Sequence, residues 1–209
     1  MAGMPRTITT ILACVALAVL TPGCGSSKKS SSTSGTGAPT PTGETGAGAL
    51  AAEATSAATG DIPDSQVFLT YSNPAGGYAM SYPEGWTIKA QGADVTISEK
   101  NNLVRIALER APPPTVSSIG AELARLKRSD PTLAFSPPSV ISVRSGPAVK
   151  ATYTTRSAPN PVTGKSVVLI VDRYQLSKGG KRATVDLGTA KGVDNVDAYR
   201  KMINSFRWQ

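Results

Sequence analysis

From residue 67 onward, apolar and polar positions alternate in a way that predicts strands broken by two helices. Residues 67–72 are apolar and β-branched, and Asn73-Pro74-Ala75-Gly76-Gly77 has the composition of a turn. Tyr78, Met80 and Tyr82 then alternate with Ala79 and Ser81, the period of a half-buried strand, until Pro83-Glu84-Gly85 breaks it ahead of Trp86. Residues 94–98 and 103–109 predict a hairpin around Lys100-Asn101-Asn102, with Val104, Ile106 and Leu108 on one face. After Pro112-Pro113-Pro114 the period lengthens: Ile119, Leu123 and Leu126 are spaced four and three apart, which predicts a helix over 116–128. Strands over 139–143 and 148–155 flank Ser145-Gly146-Pro147. Residues 165–176 are the most apolar stretch. Val167, Leu169 and Val171 point one way and Val168, Ile170 and Tyr174 the other, as in a central strand covered on both sides. A Gly-Gly turn within 177–181 leads to a strand over 182–187. A last helix is expected over 193–206, with Asp194 as N-cap, Asp197 in the first turn and Val196, Tyr199, Ile203 and Phe206 as its buried stripe. This order predicts an α+β domain with a largely antiparallel sheet.

The first sixty residues are of another kind. All eleven aromatic residues follow position 67, so nothing before it can anchor a core. Arg6 precedes an apolar run over residues 8–20, too short to span a bilayer and suited to a signal peptide. Thr21-Pro22-Gly23-Cys24 follows and resembles a bacterial lipobox, whose cysteine receives diacylglycerol after cleavage just before it. The leucine stands one residue further back than the usual pattern, at Leu20, with Thr21 in its place. Two alternatives stay open: an unmodified Cys24 near an ordinary signal-peptidase site, and a lipobox at Ile11-Leu12-Ala13-Cys14. Residues 25–60 are Ser, Thr, Gly, Ala and Pro with few charges, too polar to offset the chain entropy of folding. The expected organisation is a lipoprotein signal peptide over 1–23, a lipid-anchored disordered tether over 24–60 and a globular domain over 61–209. Acyl chains, palmitate among them, on Cys24 would hold the protein on the extracytoplasmic side of the cell membrane.

Charge and chemistry narrow the function further. The chain carries a net +8. Residues 61–209 hold 19 Lys and Arg against 12 Asp and Glu, which favours anionic neighbours such as lipid headgroups, or solubility alone. Nucleic acid is excluded by secretion. There is no histidine, which removes the usual general base and the usual zinc ligand, and both cysteines precede the domain. Asn160-Pro161-Val162-Thr163-Gly164-Lys165-Ser166 ends like a phosphate loop. However, Pro159 occupies the place of its first glycine, and a strand follows where a helix is needed, so a hairpin turn is expected. Asp61 with Asp64, and Asp94 with Glu99, are isolated acidic pairs without calcium-loop spacing. No catalytic residue, metal site or cofactor is expected. Tyr78, Tyr82, Trp86 and Trp208 can either line a ligand or partner surface or fill the core between sheet and helix.

The run Gly77-Tyr78-Ala79-Met80-Ser81-Tyr82-Pro83-Glu84-Gly85-Trp86, the element Gly146-Pro147-Ala148 before a strand with Tyr153, and the ending Ile203-Asn204-Ser205-Phe206-Arg207-Trp208 together resemble PsbP-like domains. The resemblance covers residues 67–209. It implies an α/β/α sandwich around a central antiparallel sheet and a family of binding proteins rather than enzymes. That family's metal binding leans on histidine and does not carry over. Together with lipobox and tether, the chain resembles an actinobacterial cell-envelope lipoprotein. The first functional reading is a non-enzymatic binding or scaffold domain that docks an envelope protein. The second is a carrier or sensor of a small apolar or anionic ligand, or of an anionic lipid. The third is an envelope hydrolase.

Overall fold

A computed structural model describes residues 60–160 and 162–209. The expected signal peptide, the tether up to residue 59, Cys14 and Cys24 lie outside the described residues. Two antiparallel sheets and two helices make up the domain. In chain order the elements are β1 (Phe68–Asn73), β2 (Tyr78–Pro83), β3 (Thr87–Gln91), β4 (Asp94–Glu99), β5 (Asn102–Arg110), α1 (Val116–Ser129), β6 (Ser139–Val143), β7 (Gly146–Arg156), β8 (Val168–Lys178), β9 (Lys181–Ala190), α2 (Val196–Ser205) and β10 (Arg207–Trp208). The small sheet has the order β1-β2-β10, and the large one β3-β4-β5-β9-β8-β7-β6. The large sheet therefore joins two meanders. After β5 the chain crosses to the far edge through α1, and β9 returns to pair with β5, Ile106 opposite Val185.

Alternation decides what each face of the large sheet carries. One face holds Val95 and Ile97 of β4, Val104 and Ile106 of β5, Tyr174 and Leu176 of β8, and Val185 and Leu187 of β9. These pack against Tyr78 and Met80 of the small sheet and Tyr199, Met202, Ile203 and Phe206 at α2 to form the main core. On the opposite face, Ile119 and Leu123 of α1 pack on Val149, Ala151 and Tyr153 of β7 and Leu169 and Val171 of β8. β8 is thus apolar on both faces and inner in the sheet, as its pattern predicts. The layers are those of an α+β, α/β/α arrangement, with the small sheet sharing one layer with α2.

Local chemistry accounts for the helix ends. Thr115 Oγ1 accepts the Ser118 N–H at 3.0 Å and Ser118 Oγ accepts the Thr115 N–H at 3.0 Å, a reciprocal capping box that starts α1. α2 departs from expectation. It begins at Val196, its N-cap is Asn195 rather than Asp194, and the Asn195 side chain makes no capping bond. That side chain is drawn into a buried network instead: Nδ2 donates to Gly60 O, Asn102 Oδ1 and Thr189 Oγ1, and Oδ1 accepts the Ile62 N–H at 2.8 Å. Val196, expected in the buried stripe, is 59% exposed, and Met202 takes the buried place. At the expected turn, Gly164 N–H donates to Asn160 O at 2.8 Å and Asn160 N–H to Lys165 O at 2.9 Å.

Candidate functional site

The four sequence-predicted aromatics do not form one surface. Tyr78 is fully buried, stacked on Phe206 at 5.7 Å, and its hydroxyl donates to Ala93 O at 3.0 Å. Burial pushes its phenol well above the ordinary tyrosine range. Trp86 is also core. Tyr82 and Trp208 are half-buried at the margin, Trp208 edge-on to Phe206 at 5.3 Å. Tyr78 and Trp86 are therefore core residues, because the small sheet lies beside α2 and packs its inner face on the large sheet. Cys24, the lipidation candidate, lies outside the described residues. The acidic pair Asp61 and Asp64 and the helix-start residues Asp194 and Asp197 are brought together by the fold. Asp61, Asp64, Asp194 and Asp197 surround a depression of about 670 Å³ where Gly60 enters the domain. Among the described residues no group of three or more His, Cys, Asp or Glu side chains is placed to hold a metal ion.

The arrangement that sequence reading missed lies on the α1 face of the large sheet. Helix α1 lies over β7 and β8. Beside it, on β5 and β4, the same face is left to exposed Arg105 and to half-buried Ala107, Thr96 and Ser98. The result is an open groove of about 230 Å³ lined by Arg105, Ala107, Glu109, Glu122, Arg173 and Asp186, with Leu108 and Thr184. Its floor is a charged network. Arg173 of β8 donates from Nε to Asp186 Oδ1 at 2.7 Å and from Nη2 to Asp186 Oδ2 at 2.8 Å, a two-pronged pair across β8 and β9. Its Nη1 pairs with Glu122 of α1, whose other oxygen accepts from Gln175 Nε2 at 3.0 Å. The guanidinium also lies over the Tyr153 ring, 5.0 Å from its centroid.

This network fixes charge. Burial alone would lower the affinity of Arg173 for its proton. The hydrogen bonds and charge of Asp186 outweigh that and hold the guanidinium above its ordinary range. Burial, and then the charge of Asp186, push the Tyr153 phenol up to about 12. Both groups stay protonated at any physiological pH, so they donate hydrogen bonds and do not exchange protons. With Arg105 on its rim and Glu122 and Asp186 below, the groove can recognise a polar or charged segment of another molecule. The network left one signal in the sequence. Arg173 and Gln175 continue the inward-facing alternation of Leu169 and Val171, two polar residues at buried positions of the most apolar strand.

No family model matches the chain, and no curated protein matches it. Solved structures similar to it include cyanobacterial PsbP (CyanoP) from Synechocystis sp. PCC 6803, at 17% identity and a TM-score of 0.48, covering 72% of this chain and 98% of that one. The Ran-binding protein Mog1p of Saccharomyces cerevisiae is similar at 10% identity and a TM-score of 0.43, covering 68% and 95%. A Bacteroides thetaiotaomicron protein is similar at 13% identity and a TM-score of 0.42, covering 67% and 48%. Likenesses at this level carry nothing about activity or partners. The α+β layering expected of a PsbP-like domain rests on the strands and helices described above.

Proposed function

We propose that this chain is a lipid-anchored, extracytoplasmic binding protein of the actinobacterial cell-envelope type, which docks an envelope protein partner without catalysing a reaction. Its anchor is Cys24, and its docking surface is the groove beside α1. The observation that carries this reading is the uncovered part of that sheet face, where exposed Arg105 and Glu109 and half-buried Glu122 stand around the buried Arg173–Asp186 pair. Preorganised donors and acceptors of both signs give orientation and partner choice at little ordering cost. The carrier reading gains no such support: the layer between sheet and α2 is filled by Met80, Ile97, Ile106, Leu187, Met202 and Phe206, all essentially inaccessible.

The test is native mass spectrometry of the full-length protein extracted gently from its own membrane. The expected spectrum shows an acylated Cys24 and one bound protein, lost in Arg105→Glu. A bare chain, or a partner held equally by Arg105→Glu, would overturn the docking reading. Separately, Cys24→Ser is expected to remain unprocessed and to leave the detergent phase; unchanged partitioning would remove the anchor.

A further inference from the structure

The two ends of the large sheet carry different charge. Gly60 enters at one end, held through its carbonyl by Asn102 and Asn195, and the four aspartates of the depression gather there. At the other end three exposed cations stand in a row across adjacent strands. Arg110 of β5 is opposite Lys181 of β9, and Lys181 is opposite Lys178 of β8. By alternation all three share one face, continuing Leu108, Ala183 and Leu176. Lys178 and Lys181 are fixed by the two-residue turn between them, where Gly179 and Gly180 both take positive φ, 58° and 75°. Arg144, exposed in the β6–β7 turn, adds a fourth cation at this end of the sheet.

Like charges directly opposite on neighbouring strands destabilise a sheet. Little inside the domain relieves this row. Among the described residues Arg110, Arg144 and Lys178 form no ion pair, and Lys181 Nζ reaches only the Gly76 carbonyl, at 3.5 Å. The nearby carboxylates are engaged elsewhere: Glu109 accepts from Arg182 at 2.7 Å, and Asp94 accepts the Leu108 N–H at 2.9 Å.

We propose that this basic end is a docking face for anionic phospholipid headgroups, and that it seats the domain on the membrane surface. Each cation brought near an anionic bilayer gains attraction, and the mutual repulsion within the row is relieved at the same time. Trp208 adds an aromatic suited to the interface. It pairs with Tyr78 on β2, next to the turn whose Gly76 carbonyl Lys181 touches. The reach is sufficient. Thirty-five residues separate Cys24 from Gly60, a chain that spans at most about 120 Å, against roughly 33 Å for the length of β9. Either end of the domain can therefore meet the membrane, and charge selects the basic one. The proposal borrows only its setting from the lipid anchor.

The test uses the full chain with Cys24→Ser, so that no acyl group contributes. It is sedimented with phosphatidylcholine vesicles and with vesicles containing about one third phosphatidylglycerol, a composition chosen for its surface charge. Anionic vesicles are expected to bind at least about tenfold more tightly, and the preference should fade at high salt. The pair Lys178→Gln and Lys181→Gln should weaken anionic binding by about thirty-fold. The pair Lys165→Gln and Lys191→Gln, an equal charge change at the opposite end, should weaken it less than about threefold, and Lys178→Arg with Lys181→Arg should retain it. Equal losses from the two glutamine pairs, or no preference for anionic vesicles, would overturn the proposal. So would polyphosphate in solution binding as tightly as the vesicles, which would assign the site to soluble polyanions. None of these readings depends on acylation of Cys24, so a failed anchor and a failed docking face are told apart.

Discussion

On β5, Arg105 and Ile106 are neighbours in the chain and sit on opposite faces of the same sheet. Ile106 is fully buried among Val95, Val185 and Leu187, under α2 and the small sheet. Arg105 is exposed on a face that α1 leaves open at this strand. The first face has two covering elements and an apolar interior that holds the fold together. The second has one helix over β7 and β8, and its remaining part holds the buried Arg173–Asp186 pair at the floor of a groove. A single helix cannot cover seven strands. The uncovered width is where the sheet can turn from stability to recognition.

The sharpest way to break this contrast is to truncate the two faces in turn. Ile106→Ala is expected to cost about 3–4 kcal/mol in urea denaturation, through lost burial and the cavity left behind. Arg105→Ala on the same strand should stay within about 0.5 kcal/mol. Next comes the groove floor. Asp186→Ala leaves the buried Arg173 guanidinium with Glu122 as its one remaining carboxylate partner and should cost about 3 kcal/mol, whereas Arg173→Met with Asp186→Leu should recover most of that loss. A double variant as unstable as the single one would show the pair to be worth more than apolar packing.

Alkaline pH tests the same floor more gently. Tyr153 is raised in the folded state, to about 12, so the folded chain holds its proton where the unfolded chain releases it. Its contribution is therefore complete below about pH 10 and is lost as pH climbs through about 12, an amount of about 3 kcal/mol. Tyr153→Phe should flatten that part of the stability profile. The smallest expected effect is at the acidic end, where Asn195→Ala should cost about 1–2 kcal/mol and speed amide exchange at Ile62, which donates to Asn195 Oδ1. Unchanged exchange at Ile62 would show that this network does not hold the entering chain.

Long, strongly patterned elements were legible in the sequence. Spacing alone placed Ile119 and Leu123 on one face of α1, and alternation alone made β8 a doubly covered strand. Strand β3 was missed because all five of its residues are exposed, which leaves no alternation to read. The two residues of β10 are a strand only because β2 offers them an edge, Arg207 opposite Ala79. The start of α2 was misplaced because a good capping side chain, Asn195, is recruited by Gly60, 135 positions away. The groove was hidden for a similar reason. Its floor joins Arg173 to Glu122, 51 positions apart, and no local pattern reports such a pairing. Tyr78 and Trp86 have the chemistry of a binding surface, and their burial places them in the core.

Site-specific photo-crosslinking in the intact cell envelope tests the docking groove most directly, with the probe at Ala107 inside the groove or at Val140 on the exposed edge strand β6. The account predicts one discrete protein adduct from Ala107, abolished by Arg105→Glu, and none from Val140. An adduct from Val140 alone, or no adduct from Ala107, would contradict it.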